Sequence, residues 1–300
     1  MFDKTMQPRP AWWRRPLARF MGGVVGVFAG FFLNTASAQP PAVGRIAFFY
    51  GEALDPAALA GYDQVVVEPD NGFVPKAAEA AGTEPRGMRW IAYVSVGEVL
   101  PSRDYYAAIP KAWRIGRNGD WKSEVIDQAA PGWPQFFVEK VIAPLWAKGY
   151  RGFFLDTLDS YQLMAKTDAE RARQQAGLVA VIQRIHRRFP RAELILNRGF
   201  ELMPQVHDNV SAVAFESLYR GWDEANQRYV AVPEDARAWL LARAREVRER
   251  YDLPVIAIDY CAPADLACAQ QTVAQIRAQG LIPYVGDGHL MRINPAAAQD

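Results

Sequence analysis

The chain is predicted to fold as one (β/α)8 TIM barrel, and three observations carry that expectation. Eight short runs of β-branched and aromatic residues recur along it, most of them continuous and not alternating, as in strands buried on both faces of a parallel sheet. Segments with apolar residues at helix spacing lie between the runs. No Gly-rich dinucleotide loop of a doubly wound open sheet follows the first run. Alternation of this kind over about 260 residues is the pattern of a barrel with its helices outside.

In order, the strand-like runs are Arg45–Gly51, Gln64–Glu68, Trp90–Gly97, Gly152–Asp156, Glu193–Asn197, Ser211–Glu216, Pro254–Asp259 and Ile282–Val285. Helices are expected over Gln135–Lys148, Ala169–Phe189, Asp235–Tyr251 and Ala264–Gln279. Gly149 and Gly280 stand just before the next strand, where the left-handed residue that closes a helix belongs. The connection from Glu98 to Gly149 is the longest. It carries Tyr105, Tyr106, Trp113, Trp121 and Trp133 and is expected to fold over the barrel mouth. No linker, low-complexity tract or further repeat interrupts the alternation.

The first 38 residues read as a separate segment. Arg14, Arg15 and Arg19 precede an apolar run from Phe20 to Leu33, and Ala36-Ser37-Ala38 offers a small-x-small cleavage site. That is the layout of a secretory signal peptide cut after Ala38. An uncleaved anchor is the competing reading, but the run is Gly-rich and shorter than the roughly 20 residues of a spanning helix. Arg14-Arg15 also raises twin-arginine export, on a weak signal. The expectation is a periplasmic or secreted protein with no membrane span after cleavage, its barrel occupying residues 39–300.

Losing Lys4, Arg9, Arg14, Arg15, Arg19 and Asp3 with that segment turns 34 bases and 33 acids into 29 and 32, a net charge of −3. The remaining chain is mildly acidic and has no basic run, which argues against nucleic acid as a partner. Half of the residues of the full sequence are apolar, and seven of its nine Trp lie after residue 38, enough for a sizeable core. Cys261 and Cys268 lie seven apart, and a disulfide across that short loop suits an oxidising compartment. Two cysteines without nearby histidines make a poor zinc site.

Barrel enzymes carry their chemistry at the C-terminal ends of the strands. Read in order, those ends are Tyr50 and Glu52, Glu68 and Asp70, Ser95 and Glu98, Asp156 and Asp159, Asn197 and Arg198, Glu216, Asp259 and Tyr260, then Asp287. By itself Asp156 reads equally well as the cap of a following helix or as a site residue. A closed ring of polar strand ends implies a polar pocket. Within it Asp156 ends the fourth strand and Glu216 the sixth, and those strands of a barrel are close enough for their end residues to face one another across the mouth. Glycosidic hydrolysis needs one carboxylic acid to protonate the leaving oxygen and a second, ionised carboxylate as nucleophile or base.

Other reaction classes fit less well. His186, His207 and His289 are far apart and lack ligand spacing, so neither a metal nor another cofactor is expected. There is no Gly-x-Ser-x-Gly elbow and no P-loop. Gly286-Asp287-Gly288 reads as a tight turn in preference to a phosphate cradle. Sugar rings present flat C–H faces to aromatic side chains, and Tyr93, Tyr161, Tyr219, Trp222 and Tyr260 are candidates for such stacking. Tyr219 and Tyr260 lead because they follow strand-end acids, whereas Tyr93 reads as part of its strand.

Four segments together, Ile91 to Glu98, Gly152 to Tyr161, Leu194 to Gly199 and Phe215 to Tyr219, resemble glycoside hydrolase family 114, the endo-α-1,4-polygalactosaminidases. The resemblance runs from about Arg45 to Asp287. It implies a barrel enzyme that cuts α-1,4 bonds in a partly deacetylated N-acetylgalactosamine polymer, with Asp156 and Glu216 as its catalytic carboxylates. Asp159, Asn197, Tyr219 and Asp259 become pocket residues by the same matching. Together with Tyr50, Glu68, Glu98 and Tyr260 from the ring, they form the expected substrate-binding set. The partner expected is this polysaccharide, cationic through its free amines and drawn to an acidic mouth. Exopolysaccharide export proteins are a second class of partner. Two other readings keep the same residues: a non-catalytic polysaccharide-binding or scaffold module of an export complex, and a barrel hydrolase of a neutral glycan.

Overall fold

The structure, a computed structural model, describes residues 43–83, 85 and 87–295. The expected leader and its cleavage site lie outside the described residues. Eight strands form one sheet in chain order: β1 (Ile46–Phe49), β2 (Gln64–Val67), β3 (Arg89–Ser95), β4 (Gly152–Asp156), β5 (Glu193–Asn197), β6 (Ala212–Glu216), β7 (Val255–Tyr260) and β8 (Ile282–Gly286). All seven ladders between neighbours are parallel. This is the (β/α)8 barrel that the alternating sequence predicts.

The strands are buried on both sides because helices cover the outside and side chains fill the inside. Phe48 on β1 meets Phe154 on β4 edge-on at 5.2 Å, a contact between non-neighbouring strands across the barrel interior, and Tyr284 on β8 at 5.4 Å. No ladder joins β8 to β1 among the described residues. Tyr284 closes that seam by donating its hydroxyl to the Phe48 carbonyl at 2.8 Å, and the Tyr50 N–H donates to the Leu290 carbonyl at 2.8 Å.

The expected helices are present with small shifts in their ends. Asp168–Arg188 opens on a capping box between Thr167 and Glu170 and ends on His186, Arg187 and Arg188, which complement the helix dipole. Glu234–Tyr251 and Leu266–Ala278 follow in their expected places. The helix after the long connection begins earlier than Gln135, as Trp133–Phe137, and passes through a π-helical turn, Val138–Ile142, into Ala143–Lys148. Gly149 closes it at φ 109°. No helix among the described residues is long and apolar enough to cross a membrane.

The long connection holds more structure than its sequence suggested. Glu98–Val99, Arg114–Asn118 and Ser123–Ile126 form a three-stranded antiparallel sheet with the last of these in the centre. The segment after it docks on the helix Asp168–Arg188: Gln174 bonds Asp127 and Gln128, and a Cβ added at Gly177 would come within 1.9 Å of the Gln128 carbonyl oxygen. A second insertion after β6 is an antiparallel hairpin, Arg220–Asp223 with Arg228–Ala231.

Candidate active site

The chain turns sharply as it leaves β4 and β5. Gly152 to Leu155 are buried, Asp156 is half-buried, and Thr157 takes a left-handed conformation at φ 60°. On the next strand Asn197 is followed by Arg198, also at φ 60°. Such backbone costs about 1–3 kcal/mol for a residue with a Cβ and persists only where neighbours enforce it. At Thr157 the enforcing contacts are visible: its Oγ1 accepts the Gly97 N–H at 2.8 Å and lies 2.8 Å from Ser95 Oγ. Gly97 has no room for a side chain, since a Cβ there would sit 2.1 Å from the Thr157 carbonyl oxygen.

These turns aim Asp156, Asn197 and Glu216 into one point. Asn197 Nδ2 donates to Asp156 Oδ1 at 2.7 Å and to Glu216 Oε1 at 3.2 Å. An amide nitrogen carries two hydrogens, so it serves both carboxylates at once. The two acceptor oxygens are therefore no farther apart than 5.9 Å, the sum of those distances. Tyr93 donates its hydroxyl to Asp156 Oδ2 at 2.8 Å, and Tyr260 donates to Glu216 Oε2. Arg198 Nη2 holds the Glu216 main-chain carbonyl at 2.7 Å.

Burial, reinforced by the Asp156 charge, raises the Glu216 carboxyl above the ordinary glutamate range; Tyr260, Asn197 and Arg198 pull it back down. Burial and the same carboxylates hold the Tyr50, Tyr93 and Tyr260 hydroxyls well above their usual range, so all three remain hydrogen-bond donors at neutral pH. One raised acid beside a second carboxylate is the arrangement that lets one group donate a proton while the other attacks.

A cavity of about 320 Å³ opens above these groups, with Tyr50, Glu68, Glu98 and Tyr260 in its wall beside Asp156 and Glu216. The long connection contributes Leu100, Arg103, Trp121 and Ser123, so it does reach over the mouth. Two of the wall carboxylates are already engaged. Glu68 receives both Arg103 terminal nitrogens, at 2.6 and 2.9 Å, while Asp70 lies 2.8 Å from the same guanidinium. Glu98 is buried and accepts from Asn118 Nδ2 at 3.0 Å and from the Ser123 and Ser160 hydroxyls.

Asp259 corrects the expectation of a pocket residue. It is fully buried and accepts the N–H groups of Leu218, Tyr219 and Arg220 at 2.6, 2.7 and 2.9 Å. Burial pushes its carboxyl up to about 6 against the pull of those amides. The pleat explains the outcome: successive side chains on a strand face opposite ways, and Tyr260 takes the inner face. Asp259 therefore clamps the loop that leaves β6.

Asp159 and Tyr219 also lie outside the cavity wall. Desolvation raises the Asp159 carboxyl while Arg198 opposes the rise, and the Arg237 guanidinium covers the Tyr219 ring at 5.6 Å. Tyr161 is buried, with Gln175 Nε2 donating to its hydroxyl at 2.7 Å, and Trp222 packs on Tyr229 and His289. Trp121 lies in the wall, as expected of the long connection, whereas Arg103 and His289 are wall residues that no sequence pattern placed there. Cys261 and Cys268 are joined in a disulfide directly after Tyr260. Among the described residues no group of three or more His, Cys, Asp or Glu side chains is placed to hold a metal ion.

The chain is similar to several known proteins. The glycoside hydrolase domain of PelA from Pseudomonas aeruginosa is 35% identical, with 83% of this chain and 96% of that one covered and a TM-score of 0.74. Ega3 from Aspergillus fumigatus, solved with galactosamine, shares the fold at 17% identity and a TM-score of 0.61, covering 86% of this chain and 97% of its own. A Deinococcus radiodurans protein is 27% identical over 265 residues, 81% of this chain and 79% of its own. The model of glycoside hydrolase family GH114 matches residues 33–299. With that match spanning nearly the whole chain, and the 35% identity to a hydrolase domain beside it, the protein belongs to glycoside hydrolase family GH114.

Proposed function

We propose that the protein is an exported endo-glycosidase that hydrolyses α-1,4 linkages in a partly deacetylated N-acetylgalactosamine polymer. The observation that carries this reading is the single Asn197 nitrogen shared by Asp156 and Glu216, which holds two carboxyl oxygens within 5.9 Å. Retaining glycosidases keep their carboxyl groups about 5–5.5 Å apart, and inverting ones leave about 6.5–9.5 Å for a water. The shorter spacing supports double displacement. In the first step Asp156 attacks the anomeric carbon and the C–O bond to the leaving sugar breaks, while Glu216 gives its proton to the departing oxygen. In the second, Glu216 takes a proton from water as that water's oxygen attacks the same carbon and releases Asp156.

The raised Glu216 carboxyl suits the acid of the first step. Asn197 and Tyr93, both donors to Asp156, orient the attacking carboxylate. An amine-bearing substrate is supported by the Ega3 complex with galactosamine and by the carboxylates of Asp156 and Glu98 in the cavity wall. Export rests on the leader read in residues 1–38.

The test is release of reducing ends from a partly deacetylated galactosamine polymer by the wild type, Asp156→Asn and Glu216→Gln. Product from the wild type alone is expected, with retained anomeric configuration by NMR. Equal product from all three would refute the pair, and binding without chain shortening would make the protein a polysaccharide-binding module.

A further inference from the structure

Trp121 has the largest exposure of any big apolar side chain among the described residues, 65%, yet it stands in the wall of the cavity. It sits on the tight turn between the inserted strands Arg114–Asn118 and Ser123–Ile126. The remainder of that turn is Gly119, Asp120 and Lys122, and its bend is made by Asn118 Oδ1 accepting the Asp120 N–H at 3.2 Å. The turn does not need an indole for its own geometry, and an indole left in water forgoes the burial its large apolar surface favours.

The turn is also anchored more firmly than a surface hairpin requires. Its two feet are tied to one buried carboxylate: Asn118 Nδ2 donates to Glu98 Oε1 at 3.0 Å, and the Ser123 hydroxyl donates to Glu98 Oε2. Ser160, which follows β4, donates to the same Glu98. The position of Trp121 is thus referenced to the strand ends that carry Ser95 and Asp156. Leu100, also exposed, is the other large apolar side chain that the long connection adds to the cavity wall.

We propose that Trp121 is a stacking platform for a sugar ring of the polymer other than the one undergoing attack, and that Glu98 is the positioning residue that holds the platform over the cavity. The inference rests on the glycosidase reading above. A galacto-configured ring presents a patch of C–H groups on one face that lies flat on an indole. A protonated amine on the same ring adds attraction to the indole face. The carboxylate pair is hemmed in by Tyr50, Tyr93 and Tyr260, which leaves the rim for the neighbouring rings.

The experiment compares wild type, Trp121→Ala and Trp121→Phe on galactosamine oligomers of graded length. Trp121→Ala is expected to raise KM on the longer oligomers about 5- to 10-fold, the value of one aromatic contact, with kcat within about twofold. Trp121→Phe should recover most of the loss, and the shortest cleaved oligomer should respond little. An unchanged KM for Trp121→Ala, or a fall in kcat alone, would overturn the proposal. Glu98→Gln, which keeps one acceptor oxygen for three donors and loses the charge that strengthens those bonds, should reproduce the KM change and add nothing to it in combination with Trp121→Ala. Full additivity would refute the positioning role. If the wild type shortens no oligomer, the glycosidase reading fails. Titration calorimetry of oligomers onto Asp156→Asn with and without Trp121→Ala then still reads the platform, with weaker binding expected in the double variant and equal binding counting against it.

Discussion

Tyr260 donates its phenolic hydrogen to Glu216 at the end of β6, and Asp259, its neighbour in the chain, takes the N–H groups of the loop that follows from the opposite face of β7. The phenol stabilises the ionised form of a carboxyl that burial and Asp156 push the other way. The proposed acid must be protonated to act, so activity should fall as pH rises through the elevated pKa of Glu216. Removing the phenol in Tyr260→Phe removes a downward influence and should move that alkaline limb to higher pH. The kcat/KM–pH profiles of the two proteins check the shift, and a limb displaced toward acid would contradict the assignment.

Asn197 supplies the hydrogens that keep two like charges tolerable at close range. Asn197→Asp preserves shape but substitutes a third acidic group for the shared donor. A loss in kcat of about 10²-fold is expected, comparable to removing a preorganised donor elsewhere, with a melting temperature close to wild type. Initial rates and thermal unfolding measured side by side separate this from simple misfolding.

Asp259→Ala would strand three backbone N–H groups in a buried loop. Each unsatisfied donor costs about 1–3 kcal/mol, partly relieved by water, so a loss of about 3 kcal/mol in urea unfolding is expected. Activity should drop as well, because the clamped loop begins where Glu216 ends. Stability unchanged within the error of the measurement would rule out the clamp.

Cys261→Ser with Cys268→Ser opens a loop of seven-residue separation next to Tyr260. The chain-entropy relation for so short a loop gives a loss of about 2–3 kcal/mol. The expected signature is a lower urea midpoint that matches the wild type treated with reductant.

The barrel was legible because burial on both faces writes itself into the chain as uninterrupted runs such as Gly152–Leu155 and Val65–Val67, broken only by a polar end. Asp156 and Glu216 were legible for the same reason: each ends such a run. Asp259 was misread because a strand-end acid looks the same in sequence whichever face it takes; choosing both Asp259 and Tyr260 for one pocket asked two consecutive residues of a strand to point the same way. The inserted sheet was hidden by its composition. Arg114–Asn118 has one β-branched residue, and its pairing depends on a distant acid, Glu98. Trp121 was legible as part of a segment over the mouth, but its place at the tip of an inserted turn, like the place of Arg103, needed the structure.

The joint between β1 and β8 has a consequence for motion. Elsewhere around the ring each pair of strands is held by a ladder, whereas this joint relies on isolated bonds from Tyr284 and Tyr50. Local opening selects the segment with fewest cooperative bonds, so breathing of the barrel should begin there, with the Tyr50 amide among the first in the ring to exchange with deuterium. Tyr50 gives its N–H to the joint and its ring to the cavity. Each excursion that parts the first and last staves therefore also dismantles one wall of the substrate chamber, and a ligand gripping that wall would act as a hoop around the barrel.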